Sequence, residues 1–251
     1  MKPTVLEALA RRLSAARGRV CALTGAGISV PSGIPDFRSP DGLWRRFPPQ
    51  RTATLEAFHH RPEEFWAMIR AIYSNLAKAQ PNPAHRALAK LEELGLLEVI
   101  ATQNIDGLHQ AAGSPSVLEL HGHGRELCCL HCGLRRATRD TDRSKGPPPR
   151  CERCQNNLKP TVVMFGEALP SATWRAAERH AQHCELWLVI GTSGQVEPAA
   201  SLPRIAARHG AEIAVLDLAP EAFEGDVAYR LAGSVDLTLP ALLAAITAPP
   251  A

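Results

Sequence analysis

Apolar residues are distributed along the chain in two rhythms. Short runs at 19–24 (RVCALT), 97–102 (LEVIAT), 117–120 (VLEL), 186–191 (LWLVIG) and 212–218 (EIAVLDL) have the length and the polar or turn-forming borders of strands. Longer stretches carry a helical spacing. Residues 5–17 place Val5, Leu6, Leu9 and Leu13 on one face, with Glu7 outside it. Residues 61–78 begin at Pro62, hold two acids in the first turn, and repeat Phe65, Met68, Ile69, Ile72 and Leu76. A further helix is expected near 84–94, after two prolines. Residues 33–50 are broken by Pro35, Pro40, Pro48 and Pro49, with Gly33 and Gly42 between them, and predict a long loop. Strands alternating with helices indicate an α/β fold with an open parallel sheet, whose ligands bind beyond the carboxyl ends of the strands. The stretch 123–159 departs from this pattern: it lacks strong periodicity and contains five cysteines and a Gly-Pro-Pro-Pro turn, so it reads as a separate small module.

Composition narrows the class without naming a function. The 251 residues are 45 % hydrophobic and 21 % charged, ordinary values for a globular protein with one main domain and a satellite. A net charge of +3 is too slight for the basic stripe of a nucleic-acid binder, so no direct nucleic-acid partner is expected. The longest uninterrupted apolar run, Ala241 to Ile246, is far short of the roughly 20 residues of a membrane-spanning helix, and no membrane partner is expected. The arginines near the start also suit a mitochondrial presequence, but a nucleotide-binding signature beginning near residue 20 leaves little room for a leader. A cytoplasmic location is the expectation.

The seven cysteines, at 21, 128, 129, 132, 151, 154 and 184, are an odd number with no signal peptide ahead of them, which argues against a disulfide framework. Cys129-x-x-Cys132 and Cys151-x-x-Cys154 have the spacing of two knuckles closing on one zinc. Four thiolates complete a tetrahedral shell and leave no position for a reactive water, so the ion is expected to be structural. Cys128 is an alternative ligand to its neighbour, although the paired spacing favours Cys129. Cys21 and Cys184 are expected in the core.

The first strand runs into Gly25-Ala26-Gly27-Ile28-Ser29-Val30, which begins like a dinucleotide fingerprint: glycines let the backbone approach a pyrophosphate and aim its amides at the anion. Val30 stands where the third glycine of that fingerprint would be, and a proline-rich stretch follows in place of a βαβ unit. Both features disfavour a hydride-transferring dehydrogenase. The expected organisation is a Rossmann-like domain of 1–48, 80–122 and 160–251, a helical insertion at 49–79 and the zinc-binding module at 123–159.

Together, GAGIS (25–29), SGIPDFRS (32–39), TQNIDGLH (102–109), ELHG (119–122), VVMFGE (162–167) and GTSGQVEPAA (191–200) resemble the signature of the sirtuin family, in the family's order and across nearly the whole chain. The resemblance implies an NAD-dependent protein-lysine deacylase. In that chemistry the acyl oxygen of a modified lysine attacks the nicotinamide ribose of NAD, nicotinamide leaves, and a base-activated ribose hydroxyl carries the acyl group off as O-acyl-ADP-ribose. The implied base is His121, whose imidazole can accept a proton near neutral pH; an isolated histidine at a strand end would as readily do no more than satisfy hydrogen bonds. His123 stands where the family usually has Ser or Asn, and no catalytic role is assigned to it.

The same resemblance distributes the cofactor contacts. It assigns the phosphate and ribose contacts to Gly25, Ala26, Gly27, Ser29, Gly191, Thr192 and Ser193, with Gln103 beside the ribose. Asn104 and Asp106, joined by Asp36, would line the nicotinamide pocket, although both also suit turns. Phe37 and Arg38 match a loop whose ring shields the reaction centre and whose cation approaches phosphate or ribose. Asp217, where the family usually has Asn, would accept bonds from the adenine ribose and disfavour NADP. Val163, Met164, Phe165, Gly166 and Glu167 would hold an extended acylated peptide; the same segment also has the propensity of an internal sheet strand. Gly194 replaces a bulky apolar residue of many members.

Family members that remove acidic acyl groups hold the carboxylate with a Tyr and an Arg three apart on the 61–78 helix. Here those positions are Trp66 and Ile69, which predicts a preference for neutral acyl-lysines. Trp66 and Ile69 also suit an amphipathic helix core, and a shifted register would present Arg70 and Tyr73 in their place. An ADP-ribosyltransferase on the same scaffold and a non-catalytic zinc module are the competing classes.

Overall fold

The computed structural model describes residues 3–36 and 42–248. Six parallel strands form the main sheet: β1 (Val20–Thr24), β2 (Val99–Thr102), β3 (Val117–Glu119), β7 (Leu186–Ile190), β8 (Glu212–Asp217) and β9 (Tyr229–Ala232), in the order β3-β2-β1-β7-β8-β9. A three-stranded antiparallel sheet, β4 (Glu126–Cys128), β5 (Arg135–Ala137) and β6 (Lys159–Pro160), has β4 at its centre.

The five expected strands form, and the continuous apolar runs are explained by cover on both faces. β1 sends Val20 and Ala22 into a cluster with Leu9, Leu13, Leu88, Leu91, Leu239 and Leu242. Its alternate residues, Cys21 and Leu23, join Trp187, Val189, Ala177, Ala181 and Leu202 on the other face. The helix Val5–Ala15 starts where Thr4 and Glu7 cap each other reciprocally, the Glu7 amide donating to Thr4 Oγ1 at 3.2 Å and the Thr4 amide to Glu7 Oε2 at 2.9 Å. β9 is absent from the sequence reading, because a four-residue edge strand with half-buried side chains carries no apolar run.

One further expectation needs correction, and one alternative reading falls away. The 33–50 stretch contains short helices at Leu43–Arg46 and Pro49–Thr52, the second started by a proline whose fixed φ suits a first helical turn. Residues 162–167 form no sheet strand, as described below. A third apolar cluster joins the helix Pro62–Leu76 to the small sheet: Phe65, Trp66, Met68 and Ile69 pack with Leu127, Leu158, Val162 and Met164.

Candidate active site

Sheet order reverses around β1, with β2 on one side and β7 on the other, which opens a crevice at their carboxyl ends. The two glycine turns leave from that point. The Gly27 amide donates to the Gly191 carbonyl at 2.8 Å, and a Cβ added to Gly27 would lie 2.8 Å from Gly191 Cα, closer than side-chain carbons approach backbone. A Cβ on Gly25 would meet Thr192 Cβ at 2.6 Å. Only bare backbone permits the two turns to interlock. After Gly25 the chain enters a 3-10 turn, Ala26–Ser32, where a dinucleotide-binding dehydrogenase would start its α-helix.

A cavity of about 520 Å³ fills the crevice. Its walls include Gly25, Ala26, Gly27, Ser29, Asp36, Gln103, Asn104, Asp106, His121, Gly191, Thr192, Ser193 and Asp217, together with Val163, Met164, Phe165, Gly166 and Glu167. The structure thus brings the described candidate residues to one space. Phe37 and Arg38 lie outside the described residues.

The polar wall is tightly bonded. Asn104 Nδ2 donates to Gly25 O at 2.9 Å and to Ser29 Oγ at 3.2 Å, while Ser29 Oγ donates to Asp106 Oδ2 at 2.7 Å. Asp106 Oδ1 accepts from the Leu108 amide at 2.9 Å. Burial raises the Asp106 carboxyl above its ordinary range, against the opposing pull of the Ser29 and Leu108 bonds. Gln103 Nε2 donates to Thr192 Oγ1 at 2.8 Å, tying the β2 turn to the β7 turn. Asp217 Oδ1 accepts from the Ala219 amide at 3.2 Å.

His121 follows β3 and packs against the cavity. Its Nδ1 is 2.9 Å from the Gln103 carbonyl oxygen, which can only accept, so Nδ1 carries the proton and Nε2 keeps its lone pair. Burial lowers its pKa below the usual 6.5, with the Gln103 bond offsetting part of the shift. His123 is turned elsewhere: its carbonyl accepts from Thr161 Oγ1 at 2.8 Å and its Nδ1 is 3.2 Å from the same hydroxyl.

Beneath this wall is a pair that the sequence reading did not single out. Thr24 Oγ1 donates to Thr102 Oγ1 at 2.8 Å and is 2.9 Å from His109 Nε2. His109 and His85 face each other with ring centroids 4.9 Å apart. Their remaining nitrogens, His109 Nδ1 and His85 Nε2, are buried and have no hydrogen-bond partner among the described residues. Desolvation lowers the two pKa values to about 3 and about 4.

The segment 162–167 is tethered at alternate residues up to Phe165 and then turns at Gly166 (φ 91°), where the Glu167 amide donates back to Met164 O at 3.0 Å. The Val163 amide donates to His121 O at 2.9 Å, the Phe165 amide to Ala53 O at 3.0 Å, and the Leu55 amide to Phe165 O at 3.3 Å. Thr54 and Phe165 form an isolated parallel bridge. The buried Lys159, also missed by the sequence reading, pairs with Glu167 at 2.9 Å and donates to Val162 O at 2.9 Å. Glu167 Oε2 also accepts from the Met164 amide at 2.8 Å. The segment is therefore braced from both sides without lying inside a sheet.

At the far end, Met68, Ile69, Ile72 and Leu76 line the cavity. Trp66 does not: it is fully buried in the third cluster, where its Nε1 donates to Leu158 O at 3.0 Å. Arg70 turns toward the cysteine-bearing module and donates to the Asp142 carbonyl at 3.3 Å and the Pro147 carbonyl at 2.8 Å, while Tyr73 donates to Gly124 O at 3.0 Å. Neither of the last two faces the cavity. The space that a side chain at 194 would occupy is held by Phe223, whose ring would be 2.6 Å from a Cβ built on Gly194.

Four thiols meet in the small module. Cys129 and Cys154 sulfurs are 3.4 Å apart, Cys132 and Cys151 sulfurs 3.5 Å, and all four ligand atoms lie within 4.8 Å of one another. Sulfur ligands about 2.3 Å from a tetrahedral zinc are separated by about 3.8 Å, so this donor set fits the ion. Cys128 is left out of the cluster, at the end of β4.

This architecture, a Rossmann-type sheet with a glycine-turn cavity and an attached four-cysteine module, defines a nucleotide-binding protein with a structural metal site. Residues 25–198 match the Sir2 family. The chain is 48 % identical over 198 residues to the NAD-dependent protein deacetylase of Thermodesulfovibrio yellowstonii, covering 76 % of each chain. It is 42 % identical to NAD-dependent protein deacylase 2 of Archaeoglobus fulgidus, covering 88 % of each. A solved Sir2 protein carrying a deacetylated p53 peptide and 3′-O-acetyl ADP-ribose superposes with a TM-score of 0.87 at 35 % identity, covering 95 % of this chain and 97 % of that one. The chain belongs to the Sir2 family.

Proposed function

We propose that the protein removes acyl groups from lysine side chains of protein substrates in an NAD-dependent reaction, releasing nicotinamide and O-acyl-ADP-ribose, with His121 as the base. The single observation that carries this reading is the convergence of the two glycine turns, the Gln103–Asp106 wall, His121 and the 162–167 segment on one cavity.

When bound, NAD supplies an electrophilic ribose carbon and a leaving group, nicotinamide. The glycine turns offer bare backbone to its phosphates, and Asn104 and Asp106 offer an amide and a carboxyl to the carboxamide. His121 holds its Nδ1 proton on Gln103, which leaves Nε2 to accept a proton from a ribose hydroxyl. The 162–167 backbone receives an extended peptide, steadied by the Lys159–Glu167 pair. The apolar end formed by Met68, Ile69, Ile72 and Leu76 suits a neutral acyl group. Asp217 on the cavity wall disfavours a 2′-phosphate, so NAD is used in preference to NADP.

Among the described residues no helix is long and apolar enough to cross a membrane. All seven cysteines are unpaired thiols, which supports a reducing, cytoplasmic setting.

The test is incubation with NAD and acylated peptides, with products identified by mass spectrometry. Deacylated peptide with O-acyl-ADP-ribose is expected. ADP-ribosylated protein in their place would assign a transferase, and no NAD consumption would remove the enzymatic reading.

A further inference from the structure

At the end of the main sheet opposite the cavity, three chemically different donors converge. Cys21, the second residue of β1, is fully buried. It pairs in register with Val99, so Glu98 borders it on the next strand, anchored by its amide donating to Val20 O at 2.8 Å. His180 stands in the last turn of the helix Ser171–His183. The Cys21 thiol sulfur, a Glu98 carboxylate oxygen and a His180 ring nitrogen all lie within 4.8 Å of one another, and His180 Nδ1 is 3.2 Å from Glu98 Oε1.

These distances can be compared with a coordination shell. Ligand nitrogen and oxygen about 2.0–2.2 Å from a tetrahedral ion are about 3.4 Å apart, and a thiolate at about 2.3 Å is about 3.6 Å from either. The nitrogen–oxygen edge, at 3.2 Å, is already near this length, and the sulfur lies within 4.8 Å of both other donors. Exposure of 31 % at His180 and 46 % at Glu98 gives an ion a way in, while the buried thiol supplies a fixed anchor. Cys184 packs against the Cys21 thiol and directs its own S–H to Ala181 O at 3.6 Å, outside the three-ligand group. Mixed sulfur, nitrogen and oxygen donors select a borderline transition ion over magnesium or calcium, which prefer oxygen alone.

We infer that Cys21, Glu98 and His180 form a second metal site, for a zinc-like divalent ion, sharing no ligand with the four-cysteine cluster. Its function goes beyond deacylation and does not depend on it. An ion there would join the starts of β1 and β2 to the helix Ser171–His183 and so bind the folded chain in preference to the unfolded one.

The experiment uses the full chain with its four-cysteine cluster already filled. The protein is dialysed against buffered free zinc in the micromolar range, and zinc per chain is measured by plasma mass spectrometry alongside thermal unfolding. Two zinc ions per chain are expected in the parent protein and one in Glu98→Ala and in His180→Ala, with a zinc-dependent rise in Tm in the parent that both variants lose. These variants change half-exposed side chains, so they avoid the core disturbance of altering Cys21. One zinc per chain in the parent at every concentration, or a second zinc retained in either variant, would overturn the assignment and leave the Glu98–His180 contact as a surface ion pair.

Discussion

His121 Nδ1 lies 2.9 Å from the backbone oxygen of Gln103, and this contact decides which ring nitrogen can act as a base. Because Gln103 belongs to the turn that also contacts Thr192, the tautomer is set by the cofactor-side wall itself. His121→Ala is expected to lower kcat for deacylation by about 10²–10⁴-fold with little change in NAD affinity. Turnover assays beside calorimetric NAD binding check this, and near-parental turnover would refute the role.

The same residue sets an acid limb. Burial lowers its pKa below 6.5, so the imidazole stays neutral, and the base competent, somewhat further into the acid range than a free histidine would. Activity should fall as pH drops through that lowered pKa. A pH profile of kcat/KM in which the limb lies above 6.5 would contradict the burial argument.

Gly27→Ala tests the interlocked turns. A methyl group 2.8 Å from Gly191 Cα must push the β1 and β7 turns apart. A loss of about 1–3 kcal/mol of stability is expected, with weakened NAD binding. Urea unfolding and NAD titration measure the two effects, and parental values in both would show that the turns separate freely.

The four-cysteine cluster should hold one structural zinc, and Cys132→Ser or Cys154→Ser should release it. Loss of a thiol ligand removes binding energy that is also folding energy for the small antiparallel sheet. Hydrogen exchange over 124–160 should rise strongly in either variant. Unchanged protection there would mean that the metal does not hold the module.

Acyl preference follows from which side chains reach the cavity. Ile69 does, whereas Arg70 and Tyr73 are committed to backbone carbonyls outside it. Among the described residues no cation lines the cavity, so an acidic acyl group would lose its water uncompensated, and acetyl- or longer fatty-acyl-lysine should exceed succinyl-lysine in kcat/KM by at least about tenfold. One peptide carrying each acyl group gives the comparison, and succinyl-lysine as the best substrate would overturn it.

Much of this could be read from local pattern alone. Strand runs and helix periodicity depend on residues close in sequence, and they determined the open parallel sheet and its helices. The spacing of Cys129, Cys132, Cys151 and Cys154 identified a metal set, and the glycine turns and ELHG motif marked the cavity, because such chemistry needs specific residue types at short separations. Side-chain direction and long-range partners were decided only by tertiary packing. Trp66 and Ile69 are both apolar and both packed in the third cluster, yet only Ile69 also reaches the cavity wall, while Trp66 is held away by its bond to Leu158 O. Cys128 and Cys129 are adjacent, but β4 pairing carries only Cys129 into the cluster. Residues 162–167 have strand propensity, but their partners are His121 and Ala53, far away in sequence, which leaves them braced at a cavity wall outside any sheet. Such outcomes depend on contacts between distant segments, which a local pattern does not encode.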